Sequence, residues 1–192
     1  MGSSAPDAIP FNQWEPAPGV QFLVDTKEAV GYLINQNGAY TAVPVLLGQN
    51  KTVHYLGRTY LATTPEDSWI MKSKHIQSDR ITFGREGTFL RLYRDGVTST
   101  PYGIHSHRYF EYMLAEGNPY RSMGCILVSQ EVLDKIERAY ELNGETLNVV
   151  TVYGIDNSLL TDLDAPSAAS PEDSESIIKS AATLLRPASV KG

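Results

Sequence analysis

Tyr102-Gly-Ile-His-Ser-His107 and, a short interval later, Arg121-Ser-Met-Gly-Cys-Ile-Leu127 carry the only cysteine of the chain, Cys125, and two of its four histidines, His105 and His107. A lone thiol behind a glycine, with a histidine on a nearby turn, has the composition of a nucleophile and its base. A thiol at its ordinary pKa is only a few per cent ionised near neutrality, so such chemistry needs a partner that takes the proton. His105 fits that role. The small Gly124 leaves room for backbone N–H groups to approach a developing oxyanion, and such donors are each worth about 3 kcal/mol when preorganised.

Outward from this stretch the chain reads as mainly β. Val20–Asp25 and Ala29–Asn35 are short apolar runs, and Asn37-Gly38 is a hairpin signal. Ala39–Leu47 completes a three-stranded meander. Val53–Leu56 and Thr59–Thr63 read as strands about Gly57. Trp69–Ile76 fits either a strand or a short helix. Arg80–Phe83 and Thr88–Tyr93 read as strands separated by Gly84 and Gly87. Short strands with glycine turns at this density indicate a sandwich or barrel-like β core, not a parallel α/β sheet.

Two helices are expected after the first half of the motif. Arg108–Glu116 is short and is stopped by Gly117-Asn-Pro119. Gln130–Leu142 is capped by Ser129 and carries Val132, Leu133, Ile136, Ala139 and Tyr140 as one apolar stripe. Glu131/Lys135 and Asp134/Arg138 are spaced as ion pairs on its wet side. Asn143-Gly144 closes it, and Thr146–Tyr153 returns as a strand. Ser170-Pro-Glu-Asp173 opens a last helix over 171–185, more a packing appendage than a partner site.

The 192 residues suffice for one domain with a real core. The expected division is an extended lead-in over 1–19, with Phe11 and Trp14 laid on the body, a catalytic unit over 20–154, and a linker with the last helix over 155–192. The formal net charge of -6 and the lack of basic runs argue against nucleic acid or an anionic membrane as partner. No apolar run approaches the length of a membrane span. Met1-Gly-Ser-Ser-Ala-Pro6 has neither the basic nor the apolar part of a signal peptide. Either the chain is used without a signal, or a signal was removed and Met1-Gly2 is an expression scar.

Gly103-Ile-His-Ser106, a gap over 106–121, and Ser122-x-Gly-Cys-Ile126 resemble the signature of the L,D-transpeptidase catalytic domain. The resemblance extends over roughly 20–153, through the opening strands and the helix after the cysteine. It implies a β-sandwich carrying an active-site helix-loop, and an enzyme that acts on peptidoglycan stem peptides. There Cys125 would attack the carbonyl of the diamino acid of a tetrapeptide and expel D-alanine. The thioester would pass to an amine, to water, or to a free D-amino acid. Carbapenems would acylate the same thiol. The resemblance also implies that the Ser106 carbonyl holds the imidazole, that Ser122 and Gly124 belong to the motif at the oxyanion, that Met123, His107, Tyr102 and Arg121 lie where substrate binds, and that the enzyme works in the periplasm or at the cell wall.

Two positions depart from the pattern. Met123 stands where the family has His, and Leu127 where it has Arg or Asn. His107 and Arg121 are the nearby candidates to compensate, and Tyr102, with Tyr109, Tyr112 and Tyr120, either lines a groove or packs the core. His54 and His75 are read as ordinary surface or satisfied residues. Several plainer readings stay open. A lone Cys is most often a small buried hydrophobe, a zinc site of His105, His107 and Cys125 is conceivable, and the fold can serve as an inactive cell-wall-binding module. An L,D-carboxypeptidase, including a toxin delivered into a competitor's periplasm, is the alternative enzyme. No cofactor or metal is expected, and the oligomeric state is open.

Overall fold

The structure is a computed structural model that describes residues 8–155. In chain order its elements are β1 (Gln21–Asp25), β2 (Val30–Ile34), β3 (Tyr40–Pro44), β4 (Leu47–Gly48), β5 (Thr52–Tyr55), β6 (Arg58–Leu61), β7 (Asp67–Ile76), β8 (Thr88–Arg94) and β9 (Thr98–His105). They continue as α1 (Phe110–Ala115), β10 (Tyr120–Ser122), β11 (Ile126–Leu127), α2 (Gln130–Leu142) and β12 (Leu147–Val152). The expected last helix over 171–185 lies outside the described residues. Among the described residues no helix is long and apolar enough to cross a membrane.

One eight-stranded sheet runs β11-β9-β8-β7-β12-β1-β2-β3, with β10-β4 and β5-β6 as separate two-stranded ribbons. Hairpins join β1, β2 and β3 into the expected meander. Within the eight-stranded sheet two pairings are parallel: β12 beside β1, and β11 beside β9. Both are made by short returns that follow helical segments, the usual requirement for a parallel neighbour.

One face of the sheet is the core. Phe22, Leu33, Met71, Leu90, Ile104 and Ile126 lie on it fully buried, against Leu133 and Ile136 of α2. Ser129 caps that helix through its Oγ, which accepts from the Val132 N–H at 3.3 Å. Trp14 is buried in the same core and donates its indole N–H to Ala39 O at 3.2 Å. At the far end of β1 the buried carboxylate of Asp25 gathers four backbone N–H groups, from Lys27, Glu28, Gly154 and Ile155. It thereby ties the end of the β12 strand to the first turn.

Several sequence expectations need correction. Arg80–Phe83 is not a strand but the start of a turn that runs to Glu86. Asp79 captures it locally: its Oδ1 accepts from the N–H groups of Ile81 and Thr82, and its carbonyl from Phe83. Trp69–Ile76 is strand, within β7, because it pairs on both sides. Thr98–His105, unassigned from sequence, is a full strand, so His105 ends β9 instead of sitting on a turn. The apolar run to Leu47 is broken at Pro44, after which Leu47 turns to pair with β10. The helix expected over 108–116 is shorter, Phe110–Ala115. On α2, Lys135 pairs with Glu15 at 2.8 Å and Arg138 with Glu141 at 3.3 Å, so neither expected i,i+4 pair forms.

Candidate active site

The parallel β9–β11 pair builds the site. Ile126 pairs with Ile104 and Leu127 with His105. Ile104 and Ile126 enter the core, so alternation sends the side chains one residue away to the opposite face. Cys125 therefore abuts Gly103, and its Cα lies about 8 Å from that of His105, from strand spacing and rise. Both side chains leave the sheet on the same side. The thiol is partly exposed, and its Sγ lies 4.0 Å from Pro101 O. Burial pushes the Cys125 thiol up to about 11, against the opposing pull of the Gly103 N–H and the Arg91 charge.

His105 is buried, between the rings of Phe83 at 4.8 Å and Phe89 at 5.9 Å. Its Nδ1 stands 2.7 Å from Ser106 O. A carbonyl can only accept, so Nδ1 carries the hydrogen and the lone pair is on Nε2. Desolvation pulls the imidazole down to about 4, although the carbonyls of Ser106 and Thr82 favour its charged form. The resting pair is accordingly a neutral thiol and a neutral imidazole at pH 7.

The turn before the thiol is held by Ser122. Its Oγ accepts from the Gly124 N–H at 3.1 Å and donates to Cys125 O at 2.6 Å. The Gly124 N–H is thus occupied and does not itself serve an oxyanion. Gly124 has φ +121°, and a Cβ there would stand 2.8 Å from the ring of Tyr102. This is a position only glycine fills without strain. Met123 is fixed twice: Gln49 Nε2 donates to its Sδ at 3.1 Å, and Tyr60 of β6 donates its hydroxyl to Met123 O at 3.3 Å. Leu127 is buried, with Leu46 and Phe110.

The remaining candidates divide. Tyr102 flanks the turn and packs on Trp69 at 6.0 Å. Tyr120 donates its hydroxyl to Thr26 O and Lys27 O, and Tyr109 and Tyr112 are exposed. Arg121 pairs with Glu116 at 2.6 Å. His107 accepts from the Tyr109 N–H at 3.1 Å. Among the described residues no group of three or more His, Cys, Asp and Glu converges as a metal site.

One residue at the site was not singled out from sequence. Arg91 of β8 is the register partner of Gly103, as Phe89 is of His105. It therefore shares the face of Cys125 and His105. The signal was present in Thr88-Phe-Leu-Arg-Leu-Tyr93, where Arg91 alternates with core-facing Leu90 and Leu92. Sequence does not say which strand lies next to that one.

The fold has counterparts among solved structures. An L,D-transpeptidase from Xylanimonas cellulosilytica superposes with a TM-score of 0.50 at 19% identity, covering 70% of this chain and 61% of that one. The chain carries the L,D-transpeptidase fold. Bd1075 of Bdellovibrio bacteriovorus also superposes with a TM-score of 0.50, at 14% identity, covering 85% of this chain and 57% of that one. This chain thus spans about three fifths of the length of the structures it matches. No family model and no curated protein matches it. The expected sandwich with its helix-loop beside the cysteine is this fold, reached here with very little sequence in common.

Proposed function

We propose that the chain is a cysteine-dependent acyltransferase that acts on peptidoglycan stem peptides, in the manner of an L,D-transpeptidase, in the periplasm or at the cell wall. The observation that carries the reading is the shared face of Cys125 and His105, with the ring held through Nδ1 by Ser106 O.

Cys125 Sγ attacks the carbonyl carbon of the diamino acid as His105 Nε2 takes the thiol proton. Because the thiol starts well above its ordinary pKa and the imidazole well below, proton transfer accompanies attack instead of preceding it. The tetrahedral oxyanion is met by backbone N–H groups other than that of Gly124. Collapse breaks the peptide bond, and His105 returns the proton to the departing amine of D-alanine. A second amine then attacks the thioester, an amide forms, and the thiol is restored.

The test is acylation followed by product analysis. A carbapenem or a stem tetrapeptide should add its mass to the native chain at Cys125 and not to Cys125→Ala. With purified tetrapeptide muropeptides, dimers identify transpeptidation, whereas free D-alanine with tripeptide identifies an L,D-carboxypeptidase. A folded chain that no acyl donor modifies is an inactive module, and the proposal fails.

A further inference from the structure

The sheet face opposite the core is polar where it approaches Cys125. Ser73 of β7 pairs with Arg91 of β8, and Arg91 pairs with Gly103 of β9, beside which lies Cys125. One residue further along, His75, Phe89, His105 and Leu127 form a parallel row across the same strands. The two rows place a guanidinium and an imidazole on one face, both leading to the thiol.

Arg91 is tethered but not neutralised. Its Nη1 donates to Thr100 O at 2.6 Å and its Nε lies 3.5 Å from His75 Nε2. Its guanidinium carbon stands 5.2 Å from the centre of the Phe89 ring. Among the described residues no carboxylate pairs with it. A half-buried guanidinium held on a carbonyl, an imidazole nitrogen and an aromatic face keeps a planar pair of donors for an incoming anion. Its charge reaches Cys125.

The spacing suits a peptide. Arg91 and Cys125 are two strands apart, about 10 Å between Cα atoms. A guanidinium at the end of its side chain covers more than half of that. In an acyl donor the carboxylate of the leaving residue lies a few ångströms beyond the scissile carbonyl. We infer that Arg91 is the specificity residue of this site, pairing with the terminal carboxylate of the leaving amino acid and so selecting stems that end one residue after the scissile bond. This rests on the reading of Cys125 as nucleophile. It assigns to β8 the cation that the sequence pattern would have put at position 127.

The experiment separates the two ideas. The full chain carrying Cys125→Ala is titrated with a stem tetrapeptide ending in D-alanine and with the same peptide as its C-terminal amide. The acid should bind about 10- to 100-fold more tightly, the range of one charge-assisted contact. Arg91→Met should bring that ratio close to one, and Arg91→Lys should keep part of it, with the melting curve as a check of folding. Equal binding of acid and amide with Arg91 in place overturns the inference, as does a ratio that survives Arg91→Met, or no binding of either peptide. Cys125 acylation in the unmutated thiol chain is scored apart. If the acid-to-amide ratio depends on Arg91 but no acyl-enzyme forms, the nucleophile reading fails and the carboxylate site stands.

Discussion

His105 Nδ1 lies 2.7 Å from the carbonyl oxygen of Ser106, its own neighbour in the chain. A bond of this kind can form only if the backbone turns sharply as soon as β9 ends. The paired strand thus fixes the imidazole without help from a second side chain. Burial holds the ring neutral, with its pKa near 4 against 6.5 for an open chain. Between those values the unfolded chain takes up a proton that the folded one refuses. The resulting stability is full above about pH 6.5 and is lost as pH falls towards 4, by about 3 kcal/mol. Urea midpoints at pH 7.5 and 4 for the native chain and for His105→Gln should differ in their pH dependence by about that amount. Equal dependence in the two chains removes His105 as the source.

Cys125 should titrate as a thiol with no imidazolium partner at rest. Its pKa is raised to about 11, chiefly by burial. The thiolate at pH 7 is then about one part in ten thousand. Alkylation by iodoacetamide should accelerate about tenfold per pH unit from pH 6 to 9.5, with no plateau. A preformed thiolate–imidazolium pair would instead react at a nearly constant rate from pH 5 to 8. A plateau in that range would show that the two groups are ionised at rest. Removing the Arg91 charge should slow the reaction at every pH, because that charge opposes the burial cost.

The sequence was most informative where periodicity met a single chemical choice. The apolar stripe of α2 and its Ser129 cap, and the meander at the front, follow from local spacing. It was least informative where pairing between distant segments decides. Arg80–Phe83 has strand-like residues, but Asp79 binds the next two N–H groups before any partner strand can. Thr98–His105 contains Pro101 and Gly103, which argue against a strand interior. Yet Gly103 is required there, since a Cβ would stand 2.4 Å from the Phe89 ring. Arg91 had no visible link to the thiol until β8 and β9 were placed side by side.

The Ser122–Gly124 turn should be intolerant of small changes. Ser122 Oγ serves both Gly124 N and Cys125 O, and its residue is buried. Ser122→Ala leaves both groups without that partner, at a cost of about 1–3 kcal/mol. Gly124→Ala adds a methyl group against Tyr102 at a positive φ, with a cost of about 1–3 kcal/mol from strain alone. Both variants should lower the urea midpoint and slow carbapenem acylation of Cys125. Unchanged acylation in Gly124→Ala would mean that the turn does not set the thiol's position.

The two departures from the family pattern should behave in opposite ways when reversed. Met123 is only partly buried, and its contacts are a thioether that accepts from Gln49 and a carbonyl that accepts from Tyr60. A histidine there keeps the carbonyl bond and offers a ring nitrogen to Gln49. Met123→His should therefore fold with a midpoint within about 1 kcal/mol of the native chain. Leu127 is buried in a satellite cluster with Leu46 and Phe110, while its backbone exchanges hydrogen bonds with Leu46. An arginine at this position must bring a charge into the apolar cluster of Leu46 and Phe110. Leu127→Arg should lose about 3 kcal/mol or more. Leu127→Met, close in volume and uncharged, should lose less than about 1.5 kcal/mol. Urea denaturation of the three variants checks the ordering. If Leu127→Arg proves as stable as the native chain, position 127 is open to the site after all, and the cation need not come from β8.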